Sequence, residues 1–313
     1  ASFVLRTELF PSSAANEVRL RMDAPDGTRI AMTERQAQDV LKIVDQEAGA
    51  GNVDLSLSYI GGQPSSYPVN LVFLWTAGSH EAIMNISLKP GSSIALAPLI
   101  ARLRQVLPQR FPGSTFSFEP GDLVSQILGF GSSTVADVAV MGGQYKDVAG
   151  FAQKLKERLA AAPELADVKF GQSLHYPNVD VRIDRIAAGD VGVTADKVAR
   201  AVAAGTASSR FITPNYWRDP KSGISYQVQL QVPQPKMTSV ADVGNLPVTG
   251  TDGSSVLLSQ VAQLRQQAVP GELDRQNGQW VVSVTANLAK ADVGRAASAI
   301  DRAIADIGAP PKG

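Results

Sequence analysis

The sequence predicts an α+β protein made of two split βαβ units, the second interrupted by an inserted subdomain. Three observations carry this. The order strand–helix–strand–strand–helix–strand runs once between residues 18 and 118, begins again at Val135, and resumes at Trp280 after a long excursion punctuated by Pro233, Pro235 and Pro247.

Val18–Ala24 alternates strictly, with Val18, Leu20, Met22 and Ala24 on one face and Arg19, Arg21 and Asp23 on the other, which is a half-buried strand. Pro25–Thr28 is turn chemistry. A helix is expected from Thr33-Glu34, with Val40, Leu41 and Val44 at helical spacing. Val53–Ile60 reads as a strand closed by Gly61-Gly62, and Leu71–Trp75 and Ala82–Leu88 are β-rich. Ile94–Val106 carries a helical stripe (Leu96, Ile100, Leu103, Val106) that should stop before Pro108, and Thr115–Phe118 closes the unit as a strand.

The second unit follows with strand Val135–Met141, helix Tyr145–Ala161 and strand Ala166–Phe170. Asn277-Gly278 is a hairpin signal before strand Trp280–Leu288, and Ala291–Ile307 is an Ala-rich helix. A final strand is due where Pro310–Gly313 stands, so this unit looks one strand short. In the excursion, Asp184–Gly192 and Thr194–Ala204 read as short helices, the second capped by Thr194. Ser225–Val232 reads as a strand, Thr251–Gly253 as a hairpin turn and Leu258–Leu264 as a short returning segment. The expected division is 1–133 for the first subdomain, 134–179 with 270–313 for the second, and 180–269 for the insert, the first two being ferredoxin-like.

Lys plus Arg and Asp plus Glu number 29 each in 313 residues, so no net field draws in nucleic acid or an anionic membrane. A hydrophobic content of 44% with 19% charged residues is globular rather than disordered. No apolar run approaches the roughly 18 residues of a membrane helix. Ala1–Phe10 carries Arg6 and Glu8 and does not read as a signal peptide, so a membrane-bound parent would make this an excised loop. The absence of cysteine suits an oxidising compartment.

Catalytic signatures are missing: no G-x-S-x-G elbow, no G-x-x-x-x-G-K-[ST] loop and no C-x-x-C. His80-Glu81 begins an H-E-x-x pattern, but Met84 stands where a second histidine belongs. His80 and His175, the two histidines, read as loop residues. Gly129-Phe130-Gly131 is too short for a dinucleotide fingerprint and precedes a strand. The expectation is a non-enzyme with no cofactor and no bound metal.

Three stretches carry a resemblance. Leu9–Thr28 (LFPSSAANEVRLRMDAPDGT), Val179–Val193 (VDVRIDRIAAGDVGV) and Asp274–Leu288 (DRQNGQWVVSVTANL), in that order and spacing, resemble the second large periplasmic loop of the resistance-nodulation-division (RND) efflux transporters, of the hydrophobe-amphiphile type. The likeness covers nearly the whole chain. It implies that the ferredoxin-like units are porter subdomains around a substrate cleft and that the insert is a docking subdomain facing a periplasmic adaptor (membrane fusion) protein and an outer-membrane channel. It also implies a proton-driven homotrimer in the inner membrane of a Gram-negative bacterium, its proton-carrying residues lying outside this chain. The isolated chain is expected to be monomeric, or to self-associate through unnatural surfaces.

Within that resemblance, Ile60–Asn70 (IGGQPSSYPVN) falls where the family has a mobile loop between two substrate pockets, making Gly61, Gly62, Pro64 and Pro68 gate residues and Tyr67 its aromatic; the alternative is an ordinary exposed hairpin loop. Thr115–Phe118 resembles a strand lining the outer cleft, where Phe116 and Phe118 share one face and form either a cleft wall or core. Lys169 falls near a basic cleft residue, or is a solvated strand lysine. Arg19 and Arg21 sit near the cleft mouth, or on a wet sheet face. An apolar, partly cationic cleft would suit organic amphiphiles with a hydrophobic body, with or without a negative group. Heavy-metal exporters of the superfamily use a trio of cleft methionines. Here Met22, Met32, Met84, Met141 and Met237 lie on unrelated elements, which disfavours metal export. The alternative outside the transporters is a stand-alone periplasmic binding or scaffolding protein.

Overall fold

The computed structural model describes residues 16–62, 74, 76, 78–92, 94–121, 134–289 and 293–310. They divide into two compact units, 1–176 with 270–313 and 177–269.

The first unit holds two helix-on-sheet layers, each with its own core. In the first, β1 (Glu17–Asp23), α1 (Ile30–Ala48), β2 (Val53–Ile60), β3 (Glu81–Leu88), α2 (Leu96–Arg110) and β4 (Thr115–Pro120) form an antiparallel sheet in the order β2-β3-β1-β4. That order is what a split βαβ pattern requires, since each helix carries the chain over one intervening strand. Alternation on β1 decides the packing: Val18, Leu20 and Met22 turn to the helices with Met84, Ile86, Phe116 and Phe118, against Val40, Val44, Leu99 and Leu103. The register sets Leu20 opposite Met84 on one side and Phe118 on the other.

Two helix boundaries in this layer differ from the sequence reading by about a turn. The first helix begins a turn earlier, at Ile30, because Thr33 is a fully buried residue whose hydroxyl donates to the Ser79 carbonyl at 2.8 Å rather than capping the helix. The second runs through Pro108 to Arg110, with Leu107 buried on its core face and the Leu107 carbonyl accepting from Phe111 N at 2.9 Å. A proline in the last turn forfeits one bond there, and the buried stripe outweighs that loss. Of the expected strand 71–75 only Leu74 is described, and residues 122–133, which hold Gly129–Gly131, lie outside the described residues.

The second layer uses β5 (Ala136–Gly142), α3 (Tyr145–Ala160) and β6 (Leu165–Phe170), then β13 (Asp274–Gln276), β14 (Gln279–Leu288) and α8 (Val293–Ile307). β14 is central, with β5 along one edge and β6 then β13 in line along the other. Its core joins Val148, Leu155 and Leu159 of α3 to Val282, Val284, Ala296 and Ala303. Asn277 (φ 53°) and Gly278 (φ 81°) form the hairpin turn that their sequence announces.

The second unit is smaller. β7 (Tyr176–Ile183) pairs with β12 (Ala262–Val269) and β10 (Pro247–Thr249) with β11 (Ser255–Leu257) across a turn at Thr251–Gly253. Helix α4 (Arg185–Asp190) is capped by Asp184, which accepts from the Ile186 and Ala187 amides. Helix α5 (Ala195–Thr206) is capped by Thr194, which accepts from Lys197 N. A capping box of Ser239 with Asp242 opens α6 (Val240–Gly244), and α7 (Leu258–Val261) buries Leu258 and Val261. The sequence reading missed β7, β12 and β8 (Asn215–Arg218), and overextended β9, which is only Ser225–Val228. The β8–β9 hairpin is exposed on both faces, so no buried side imposes an apolar alternation on it.

Candidate functional site

The two layers of the first unit meet along a polar seam, β4 of one beside β6 and β14 of the other. At its centre is Asp167, a non-glycine residue at φ 55° sitting where the β6–β14 register shifts. Such a backbone costs of order 1–3 kcal/mol and persists only where surrounding bonds fix it. They do so here. The Asp167 carboxylate accepts from Nε and Nη2 of Arg104 at 2.9 and 2.7 Å, from the Phe118 amide at 3.1 Å and from the Asn287 side-chain amide at 3.0 Å. Asn287 also donates to the Ser117 hydroxyl at 3.0 Å. A carboxylate thus satisfies an edge amide of β4 where a strand carbonyl would otherwise sit, and the sheets abut without fusing.

Two open cavities of about 390 and 400 Å³ lie along this seam. The first has an apolar wall of Pro108, Phe116, Phe118 and Val168, with Arg104 and Lys169 as its cations. The second is more polar, with Asp23, Asp26, His80, Lys156 and Gln172 on its lining. Lys169 and Thr115 border both. The Lys169 ammonium donates to Asp23 Oδ2 at 2.5 Å, and the Ser173 hydroxyl to Asp26 Oδ2 at 2.6 Å. Burial pushes the Asp23 carboxyl up, but the Lys169 and Arg21 charges and the Lys169 hydrogen bond outweigh it and hold the group below the usual carboxylate range. His80 is buried in the turn before β3, its Nε2 3.4 Å from Asp26 Oδ1 and 3.6 Å from Glu81 Oε1, its ring 5.6 Å from that of Tyr176.

The structure brings Phe116, Phe118 and Lys169 to one cavity and Arg21 to the wall of the other. Phe116 and Phe118, 8% and 6% exposed, belong to the core, as one of the two sequence readings has it, and they also border the first cavity. Lys169 is neither solvated nor solitary.

Arg19 and Arg21 do share a face, but it is not wet: both are 4% exposed, on the sheet side away from the helices. Glu119, on the neighbouring strand, takes Arg21 Nε at 2.7 Å and lies 3.4 Å from Arg19 Nε; Arg21 also donates to the Leu74 carbonyl at 2.8 Å. Burial lowers the Arg19 pKa despite Glu119, whereas for Arg21 the Glu119 charge and hydrogen bond outweigh burial and raise it. Arg19 lines neither cavity. Gly61 and Gly62 close β2 away from both; Gly61 (φ 77°) donates its amide to the Glu81 carbonyl, and a Cβ there would meet Ile30 at 2.8 Å. Tyr67, Pro64 and Pro68 lie outside the described residues.

Arg104, Asp167, Asp23, Glu119 and Asn287 were missed by sequence reasoning. Glu119 had a legible signal, a carboxylate at β4 spacing opposite two arginines on one face of β1. Asp167 had none, because its role depends on a bulge.

The family model described as the AcrB/AcrD/AcrF family matches residues 2–312. The nickel-cobalt-cadmium resistance protein NccA of Alcaligenes xylosoxydans xylosoxydans is 29% identical over 198 residues, 60% of this chain and 17% of that protein. The multidrug resistance protein MdtC of Serratia proteamaculans is 25% identical over 276 residues, 87% of this chain and 25% of that protein. The chain therefore spans a quarter or less of the length of these relatives. A crystal structure of a heavy metal efflux pump superposes with a TM-score of 0.77 at 19% identity, over 96% of this chain and 30% of that one, which shows a common fold. No helix among the described residues is long and apolar enough to cross a membrane. With a family model matched almost end to end, the chain belongs to the AcrB/AcrD/AcrF family, the RND transporters that its sequence resembles.

Proposed function

We propose that this chain is the periplasmic substrate-capture and gating region of a proton-driven RND efflux pump in the inner membrane of a Gram-negative bacterium, and that the pump confers multidrug resistance by exporting organic amphiphiles. The observation that carries the reading is the seam. Among the described residues, two independently cored layers meet through hydrogen bonds that each involve a side chain, and between them lie two cavities that share Lys169, one of them walled by Phe116 and Phe118. Such a boundary separates without breaking a backbone ladder, as a cleft that opens and closes must. The loop Gly61–Asn70 is its gate. The unit 177–269 is the docking subdomain, contacting a periplasmic adaptor and an outer-membrane channel, and the full-length protein works as a homotrimer. The division 1–133, 134–179 with 270–313, and 180–269 describes its porter and docking subdomains.

The relatives' names include both metal and multidrug resistance. Within that choice, export of soft monovalent metals is disfavoured by the lining: Met22 and Met84 are fully buried in the first core, and no methionine lines either cavity. Soft-metal export would need thioethers facing the cleft.

The reading frame encoding this chain is expected to continue on both sides into apolar helices of about 20 residues. Sequencing the gene checks this. A frame adding only a signal peptide would favour a stand-alone periplasmic binding or scaffolding protein and overturn the pump reading.

A further inference from the structure

Around the first cavity the two cations differ in one respect. Arg104 is locked: its partner Asp167 also holds the Phe118 amide and the Asn287 side chain, so no ligand can take that guanidinium without dismantling the seam. Lys169 is held by one carboxylate oxygen, with the two side chains 14% and 22% exposed where both cavities meet. Apart from Lys169, Asp23 Oδ2 is approached by the Thr115 hydroxyl at a long 3.4 Å. Lys169 is therefore the exchangeable cation of this cavity, and Asp23 occupies it.

We propose that Asp23 sets the charge preference of the cleft, by neutralising Lys169 so that uncharged amphiphiles are taken in preference to carboxylates and sulfonates. This rests on the cleft reading above and narrows the expectation, drawn from Lys169 and the arginines in the sequence, that the cleft also admits a negative headgroup. An anionic headgroup reaching Lys169 must displace a carboxylate already at hydrogen-bond distance, and it leaves that carboxylate facing a second negative charge in a half-buried site. A neutral ring system meets Phe116 and Phe118 and leaves the pair intact. The depressed pKa of Asp23 means that the screen stays charged through the neutral range.

The test uses two fluorophores with one apolar skeleton: N-phenyl-1-naphthylamine, which is neutral, and 1-anilinonaphthalene-8-sulfonate, which carries a sulfonate. Both are titrated against the purified full-length protein. The wild type is expected to bind the neutral probe the more tightly. In Asp23→Asn the sulfonate-to-neutral affinity ratio should rise about tenfold, the scale of one charge-assisted hydrogen bond, and adding Lys169→Gln should return it to the wild-type value. A ratio unmoved in Asp23→Asn, while Thr115→Trp at the cavity border still abolishes binding of the neutral probe, overturns the proposal and leaves the cleft reading standing. If Thr115→Trp reduces binding of neither probe, the cleft reading falls and the proposal with it. Should Asp23→Asn fail to fold, Lys169→Gln alone reads the pair from the other side. It should lower the ratio about tenfold, because Asp23 then faces the sulfonate uncompensated, and an unchanged ratio overturns the proposal.

Discussion

Glu119→Ala is expected to cost about 3–5 kcal/mol of folding stability, the range for removing one partner from a buried ion pair. The Glu119 side chain is 1% exposed and those of Arg19 and Arg21 are 5% and 4%, so its loss leaves two like charges, two residues apart on one strand face, without the carboxylate between them. Glu119→Gln keeps an acceptor for Arg21 and should lose less. Arg21→Met in the Glu119→Ala background should cost less than Arg21→Met alone, because part of the penalty belongs to a guanidinium that has lost its carboxylate. Urea unfolding of the wild type and the four variants measures this. A loss below about 1 kcal/mol in Glu119→Ala would place the triad among weak surface pairs and contradict its burial.

Replacing both cleft rings, Phe116→Ala with Phe118→Ala, is expected to damage the fold before it informs on transport. Each truncation of a buried phenylalanine costs about 3–5 kcal/mol, and these two lie on one face of one strand, so their effects need not add. Phe118 is doubly engaged, with its ring under the Arg104 guanidinium at 5.5 Å and its amide on Asp167. Phe118→Leu removes the ring while conserving most of the volume and should cost less than about 1.5 kcal/mol. Unfolding by denaturant should show a sharply lowered midpoint for the double alanine variant and a near-native one for Phe118→Leu. An alanine pair as stable as wild type would mean that the rings wall the cleft without belonging to the core.

Much of the fold was legible because burial writes itself into periodicity. The alternation of Val18, Leu20 and Met22 against Arg19 and Arg21 located β1 and its core face, and the stripe Leu96, Ile100, Leu103 located α2. Asn277-Gly278 announced its turn, and Thr194 its helix. What failed was short or two-sided: β7, β8 and β12 lie in the small unit, where partly exposed ladders carry no clean alternation.

The site was half legible. Phe116, Phe118 and Lys169 were reached through the family resemblance. The partners that define their surroundings, Asp23, Arg104 and Asp167, lie 146, 63 and 49 positions from the residues they bind. Nothing local marks such pairs. The sequence left the arginine face of β1 as either a cleft mouth or a wet sheet face, and the structure shows that paired charge, not water, is what that face meets.

If the seam between the two layers is the path of substrate, as proposed, export by the Thr115→Trp variant tests it most directly. Thr115 is exposed at the border of both cavities, in a strand that accepts tryptophan, so the substitution fills the cleft without entering the core. In cells producing the full-length protein at wild-type level, the account predicts that efflux of a bulky neutral amphiphile falls to that of cells lacking the protein. Efflux at the wild-type rate, with the variant folded and assembled, would contradict it.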